Sequence, residues 1–154
     1  MCRIVLKLLL ILLLILYSCG GGGGEGGGGM NTSGGLTVTT AKFSAVSAGG
    51  NHTIALKPGV TLWAWGNNAS GQLGDTTTAE SLIPEQIVTD TSWSKISAGG
   101  DHTVALKTDG TLWAWGKNTS GQLGDNSTTN SLIPKQIGID TNWDVITAGG
   151  DHTV

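Results

Sequence analysis

The chain repeats itself at a constant interval of fifty residues, and this feature restricts its fold more than any other. Aligned without a gap, residues 51–100 and residues 101–150 are identical at 32 of 50 positions. A catalytic site is normally assembled once, whereas a long motif repeated in register is typical of structural units that stack on one another. We therefore divide this part of the chain into repeat units 43–92, 93–142 and an incomplete unit 143–154.

The local pattern within each unit predicts β-strands. In the second unit, residues 102–107 and 111–115 are rich in β-branched and aromatic residues, which favour strands. Asp109-Gly110 lies between them and predicts a hairpin with a type I′ turn, because Asp-Gly tolerates the two positive φ angles that this turn needs. The first unit has Pro58-Gly59 at the corresponding place, which favours a type II turn.

Two more segments of the second unit, 93–98 and 132–137, are strand candidates. Pro134 lacks an N–H group for the ladder, so it predicts an edge strand. Side chains in the strand 111–115 alternate between two faces, and both faces are apolar. Four short strands with two faces to bury describe a blade of a β-propeller. The sequence therefore predicts an all-β fold made of four-stranded antiparallel sheets.

The number of repeat units also carries an expectation. Closed propellers contain typically 4–8 blades, because each blade buries both faces only between two neighbours. Two units and the start of a third predict an incomplete propeller, a fragment whose outer blade faces expose apolar surface.

The sequence AGGDHTVALKTDGTLWAWGKNTSGQLG at residues 98–124 resembles the repeat of the regulator of chromosome condensation family. That repeat has an AGG-x-HT-x-AL opening, a DG hairpin, a W-G strand end and an N-x-x-G-Q-L-G loop. The resemblance covers Phe43 to Val154, and the first unit departs from it at the hairpin turn and at Asn51. Kelch repeats share the length and a glycine doublet, but the GQLG loop and the His after the doublet argue against them.

The resemblance implies a propeller that binds other proteins. In the eukaryotic members that act as guanine-nucleotide exchange factors, one propeller face acts on a small GTPase, and the segments after the glycine doublets help to form that face. These segments give the candidate binding-face residues Asn51, His52, Asp101, His102, Asp151 and His152. A protein-binding module is the function that this resemblance favours, and an exchange-factor-like regulator is the alternative.

The tryptophans and glycines of the repeat are interpreted as structural. Aromatic faces also stack on sugars, so a carbohydrate-binding propeller is a further alternative, but strands apolar on both sides favour interblade packing. This applies to the four strand tryptophans Trp63, Trp65, Trp113 and Trp115. The GQLG loops lack the Lys-Ser/Thr of a phosphate-binding loop. Their glycines are therefore assigned to tight turns, at Gly71, Gly74, Gly121 and Gly124.

No cofactor, metal site or enzymatic activity is expected. One His per unit does not supply the three or four converging ligands that zinc needs, and no nucleophile–base–acid set stands out. After removal of Arg3 and Lys7 with a signal peptide, six positive side chains remain against eleven negative ones, a net charge of −5. This excludes the basic face that nucleic-acid binding requires.

The first eighteen residues predict a secretory signal peptide. Arg3 and Lys7 precede a short apolar run, which is too short for a membrane span of about 20 residues. The sequence from Leu16 to Cys19 resembles the lipobox of bacterial lipoproteins, in which the cysteine is lipidated and becomes the new N-terminus. Cys19 is therefore the predicted lipidation site and gives the protein a membrane partner. An ordinary signal peptide with an incidental cysteine is the alternative.

The segment 19–42 follows as a glycine-rich linker, which is expected to be a flexible tether because glycine loses the most backbone entropy on ordering. Among lipoproteins, Asp after the cysteine favours retention in the inner membrane, and this chain has Gly20 there. We therefore expect a lipid-anchored protein of the cell envelope, at the outer membrane or the cell surface.

Overall fold

The computed structural model describes residues 42–154. The predicted signal peptide, the lipidation site Cys19 and nearly all of the linker 19–42 lie outside the described residues. The described part is all-β, as the repeat pattern predicted. Its eight strands are β1 (Ala45–Ala48), β2 (His52–Lys57), β3 (Thr61–Gly66), β4 (Ser81–Gln86), β5 (Trp93–Ala98), β6 (His102–Lys107), β7 (Leu112–Gly116) and β8 (Ser131–Ile137).

The strands form two four-stranded antiparallel sheets in the orders β1-β2-β3-β4 and β5-β6-β7-β8. We call them blade 1 and blade 2. Their registers are equivalent, since Ala55 pairs with Trp63 in blade 1 and Ala105 pairs with Trp113 in blade 2. Strand β8, which contains Pro134, is an edge strand as predicted. Each repeat unit therefore builds one blade of a propeller.

The hairpin turn of blade 2 differs from the predicted type I′ turn. Among the described residues, positive φ values outside glycine occur at Val60, Thr76 and Asn126, so Asp109 lacks the angle that a type I′ turn needs. Only Gly110 is positive there, at 80°, and its N–H donates to Lys107 C=O at 3.0 Å. The Asp109 carboxylate instead accepts from the N–H and the hydroxyl of Thr111. This local bond competes with the type I′ geometry.

In blade 1, Gly59 has a φ of 91°. The N–H of Val60 donates to Lys57 C=O at 2.9 Å. This geometry agrees with the type II turn that the sequence predicted.

The main hydrophobic core lies between the two blades. Its buried members come from both sheets: Ile54, Leu56, Leu62, Ala64, Leu73, Trp93, Ala98, Ala105 and Trp115. A second cluster lies on the far side of blade 2, where Ile146 and Ala148 pack against it. Since blade 2 is apolar on both faces, burial of only one of them would leave the other in water.

Residues 143–154 begin a third blade. The N–H of Gly149 donates to His152 C=O, and Thr147 and Val154 exchange two backbone hydrogen bonds. An isolated bridge joins Ala148 and Thr153. The incomplete unit thus repeats the β1–β2 connection of blade 1. Within residues 42–154 there is no helix of the length and hydropathy needed to span a membrane.

Candidate functional site

The glycine doublets of the three units lie side by side, where successive blades come closest. The N–H of Gly50 is shared between the carbonyls of Gly99 and Gly100, at 3.1 and 3.2 Å, and Gly100 repeats this contact with the third doublet. A Cβ atom on Gly50 would lie 2.7 Å from the Gly100 oxygen. Only glycine allows this approach, and it brings the residues that follow the doublets to one end of the blades.

That end carries a small charged surface, which we call the loop face: Asn51, Asn67, Asp101, Lys117 and Asp151. The ammonium of Lys117 lies 3.8 Å from a carboxylate oxygen of Asp101 and 3.4 Å from one of Asp151. The three side chains are 31%, 40% and 62% exposed, respectively. Lys117 thus bridges the acid of its own unit and the acid of the next unit while all three remain accessible to a partner.

Blade 1 has a neutral version of the same arrangement. Asn51 and Asn67 occupy the positions of Asp101 and Lys117, and Asn67 N–H donates to Asn51 C=O at 2.8 Å as Lys117 N–H donates to Asp101 C=O at 2.9 Å. Both members of the ion pair are replaced together, so neither unit keeps an unpaired charge at this contact. The loop face is therefore neutral at blade 1 and ionic from blade 2 onward.

Two buried glutamines donate hydrogen bonds to side chains of the loop face. Gln72 is fully buried, and its amide nitrogen lies 2.8 Å from Asn67 Oδ1 and 3.4 Å from Asp101 Oδ1. Gln122 reaches Asp151 in the same way, at 3.3 Å. Each glutamine thus links its own blade to the exposed acid of the following unit, which restricts the positions of the carboxylates.

His52 and His102, two of the candidate binding-face residues, are buried beneath this surface. His52 Nε2 lies 3.0 Å from Thr103 Oγ1, and the Thr103 hydroxyl donates to Gln72 C=O at 2.8 Å. Because the hydroxyl proton is used in that bond, Nε2 of the imidazole must be the donor to Oγ1. His102, Thr153 and Gln122 repeat the arrangement. These histidines join blades and are not accessible to a partner, whereas Asn51, Asp151 and His152 are exposed.

The second ring nitrogen of both buried histidines has no partner. Nδ1 of His52 and Nδ1 of His102 are buried without a hydrogen bond within residues 42–154. Burial lowers the pKa of His52 from 6.5 to about 4, which the nearby Asp101 carboxylate partly opposes. Burial also lowers the pKa of His102. Both rings are therefore neutral at pH 7, and neither is placed to act as an acid–base group toward a bound molecule.

The GQLG loops are held by a buried asparagine in each unit. Asn118 accepts from Leu123 N–H and donates to Asp125, at 3.0 and 2.9 Å. The four loop glycines Gly71, Gly74, Gly121 and Gly124 all have positive φ values between 70° and 81°. Lys135 lies 2.6 Å from Asp125, and this contact lowers the pKa of Asp125 to about 2. These interactions fix the conformation of the loop.

The strand tryptophans divide into two environments. Trp115 is fully buried, and its indole N–H donates to Gln72 C=O at 3.0 Å, whereas Trp65 is half-buried. Trp63 and Trp113 are also half-buried, and the ammonium groups of Lys57 and Lys107 lie 3.1 and 3.9 Å from their ring centroids. A lysine ammonium thus lies over one face of each of these two rings.

Within residues 42–154, no group of three or more His, Cys, Asp or Glu side chains is arranged to hold a metal ion.

Models of the Regulator of chromosome condensation (RCC1) repeat match residues 61–106 and 109–154, and residues 43–72 and 93–122. The chain belongs to the regulator of chromosome condensation repeat family. A repeat counted from residue 61 to residue 106 spans β3 to β6, so it contains half of each blade and the whole connection between them.

Solved propellers of the regulator of chromosome condensation family share this architecture. The chain is 27% identical to human WBSCR16, with a TM-score of 0.66 over 73% of the chain. It is 17% identical to Prp20p from Saccharomyces cerevisiae, with a TM-score of 0.67 over 75% of the chain. It is 24% identical to yeast RCC1 (Prp20) bound to Kap60, with a TM-score of 0.64 over 72% of the chain. No curated protein sequence matches the chain.

The chain spans 29% to 31% of the length of these three structures. The likeness to the two yeast structures therefore concerns the fold.

The sequence analysis did not identify the polar residues that connect the blades: Gln72, Gln122, Thr103, Thr153 and Lys117. All except Lys117 recur at an interval of fifty, and that recurrence was the available signal.

Proposed function

We propose that the protein is a non-catalytic, protein-binding propeller module that contacts its partner through the loop face. The observation that supports this most directly is the Asp101–Lys117–Asp151 array, which is exposed and charged yet held by buried glutamines. Such preorganisation lowers the entropy cost of binding. Related propellers also bind proteins: Prp20p was described with its binding to Gsp1p and histones, and yeast RCC1 was solved bound to Kap60.

We further propose that Cys19 is lipidated and attaches the module to the cell envelope, at the outer membrane or cell surface. The lipobox-like sequence before Cys19 and the glycine-rich segment after it support this location. A single acyl chain gives only marginal binding, so more than one chain is needed for a stable anchor. An exported module does not meet cytosolic GTPases, so the exchange-factor alternative is not favoured.

The loop face is tested by cross-linking and affinity capture from envelope extracts with the full-length protein. Asp101→Ala and Asp151→Ala should each reduce capture of a specific partner, because each removes half of the bridge made by Lys117. Glu80→Ala is the matched control, since Glu80 is exposed and lies outside the loop face. Equal recovery with all three variants would reject the loop face as the binding surface.

Anchoring is tested separately by labelling expressing cells with a palmitate analogue. The protein should take up the label, and Cys19→Ser should abolish labelling and leave the precursor uncut. Labelling that survives the substitution would refute the assignment of Cys19. The two experiments are independent, so failure of one leaves the other informative.

A further inference from the structure

Asp101 lies at the junction of blades 1 and 2, both of which have all four strands, and its carboxylate accepts few hydrogen bonds. Oδ1 lies 3.4 Å from the amide nitrogen of Gln72. Oδ2 lies 3.8 Å from the ammonium of Lys117, which is beyond hydrogen-bonding distance. Because an ionised carboxylate has about four lone-pair sites, Asp101 keeps most of its capacity to accept hydrogen bonds from a partner.

The equivalent acid of the third unit, Asp151, receives a cation from the blade that precedes it. The ammonium of Lys117 in blade 2 lies 3.4 Å from Asp151 Oδ1. The amide nitrogen of Gln122 lies 3.3 Å from the same oxygen. The repeat itself therefore shows that this acid accepts an ammonium group and an amide group together from the preceding blade.

At Asp101 the preceding blade supplies the amide but not the cation. Gln72 is the equivalent of Gln122, whereas Asn67 stands at the position of Lys117. Asn67 Oδ1 lies 2.8 Å from the amide nitrogen of Gln72, which also contacts Asp101. Acceptor oxygens from both blades thus converge on one amide group, and a neutral side chain replaces the lysine on the blade 1 side of Asp101.

The glutamine beneath these acceptors is fixed by bonds at both ends. The C=O of Gln72 accepts from the Thr103 hydroxyl at 2.8 Å and from the Trp115 indole at 3.0 Å. Its Oε1 accepts from the N–H of Ser70 at 2.9 Å. The carboxylate of Asp101 is therefore held in position before a partner arrives, which lowers the entropy cost of binding.

We propose that this junction binds a basic side chain of the protein partner, a lysine ammonium or an arginine guanidinium, which donates to Asp101 from the blade 1 side. The inference rests on the proposed function, because it names the chemistry of the group that the loop face receives. A cationic donor to a carboxylate makes a charge-assisted hydrogen bond, which is stronger than a neutral one. An acidic side chain of a partner would instead meet the like charge of Asp101, which is unfavourable.

Two substitutions test the proposal, and the repeat indicates that the fold accepts both. Asn67→Lys supplies the cation from within the chain, as Lys117 does for Asp151, so it should compete with the basic side chain of a partner. Asp101→Asn removes the negative charge and introduces the residue type that blade 1 has at Asn51. Both variants should therefore weaken binding of a basic group.

The first readout is an NMR titration of the isotope-labelled full-length chain with capped tripeptides that carry a central arginine, lysine or glutamate. The arginine and lysine peptides should shift the side-chain amide signal of Gln72 saturably, and the glutamate peptide should not. Asp101→Asn and Asn67→Lys should each weaken binding by roughly fivefold or more. Thr78→Lys is the matched control and should leave binding unchanged, since it makes the same change of charge as Asn67→Lys at an exposed residue outside the loop face.

The second readout is capture of the partner from envelope extracts, and it separates this inference from the proposed function. Capture that is lost with Asn67→Lys as well as with Asp101→Asn supports a basic group on the partner. Capture that needs Asp101 but survives Asn67→Lys, or tripeptides that bind regardless of their charge, would overturn the inference and leave the loop face as a binding surface. Capture independent of Asp101, together with basic peptides that do not bind, would overturn both.

Discussion

His52 Nε2 lies 3.0 Å from Thr103 Oγ1, so a histidine of one blade donates a hydrogen bond to a threonine 51 residues further along the chain. The threonine hydroxyl in turn donates a hydrogen bond to Gln72 C=O. These two hydrogen bonds cross the blade interface in opposite directions, and Nδ1 of the imidazole is buried without a partner. Protonation of Nδ1 would place a charged donor where the structure offers no acceptor.

We therefore expect stability to fall in mild acid. The folded-state pKa of His52, about 4, lies below its ordinary value of 6.5, so the unfolded chain binds the proton more readily. The stabilisation is complete above about pH 6.5 and is lost as the pH falls toward 4, amounting to roughly 3 kcal/mol. His102 contributes in the same direction.

Urea denaturation between pH 7 and pH 4 measures this dependence. Carboxylates such as Asp125, whose pKa is lowered to about 2, lose their contribution only below their ordinary range and do not account for a decline near pH 6. His52→Gln should flatten part of the slope. A free energy of unfolding that stays constant from pH 7 to pH 5 would contradict the burial of neutral imidazoles.

Gly50 of the first doublet should not tolerate a methyl group. Gly50→Ala places Cβ 2.7 Å from a backbone oxygen of the next unit, and forcing the blades apart should cost roughly 1–3 kcal/mol. Glu80→Ala is the control, because Glu80 is exposed and lies outside the contact between the doublets. Thermal melting of both variants checks the difference, and equal melting temperatures would refute the role of close approach.

Trp115→Ala should destabilise the protein far more than Trp63→Ala. Trp115 is fully buried between the blades and donates to Gln72 C=O, so its loss should cost about 3–5 kcal/mol. Trp63 is half-buried under Lys57 and its loss should cost less. Chemical denaturation gives both values, and a larger effect at Trp63 would show that the interblade core is not the main source of stability.

Glu85→Lys should stabilise blade 1. Glu85 occupies the position of Lys135, which in blade 2 lies 2.6 Å from the largely buried carboxylate of Asp125. A lysine here gives Asp75 the partner that Asp125 has, with an expected gain of about 0.5–1 kcal/mol. Glu80→Lys, an equal change of charge at an exposed site, should have no such effect. The gain should shrink in high salt.

The repeat interval was sufficient to predict the two blades. The chemistry of single residues was sufficient to predict some features within each blade. The edge position of β8 followed from Pro134, because a proline nitrogen cannot donate to a ladder. The burial of His52 could not be predicted in this way, since a spacing of fifty shows that a residue recurs but not whether its side chain faces solvent or a neighbouring blade. Its burial depends on how closely the glycine doublets approach one another, a property of packing between units.

The turn of blade 2 shows a second limit. Asp109-Gly110 favours a type I′ turn as a dipeptide, but the carboxylate of Asp109 binds Thr111, and this bond selects another turn. The ion pairs of Lys117 with Asp101 and Asp151 could not be predicted either, because the two acids lie in different repeat units. The equivalent of Lys117 in the first unit is Asn67, so the lysine does not recur. Interactions between units are read from three-dimensional proximity, whereas the repeat displays only what recurs within each unit.

The glycine doublets have one more consequence, which concerns direction. Gly50 donates its N–H to the second doublet, and Gly100 donates to the third, so the peptide groups at this contact all point the same way along the series. Each doublet thus directs its N–H group toward the following unit and its carbonyls toward the preceding unit. A unit approaching in reverse would set amide against amide or carbonyl against carbonyl, so these main-chain bonds favour a single polarity in the series of blades.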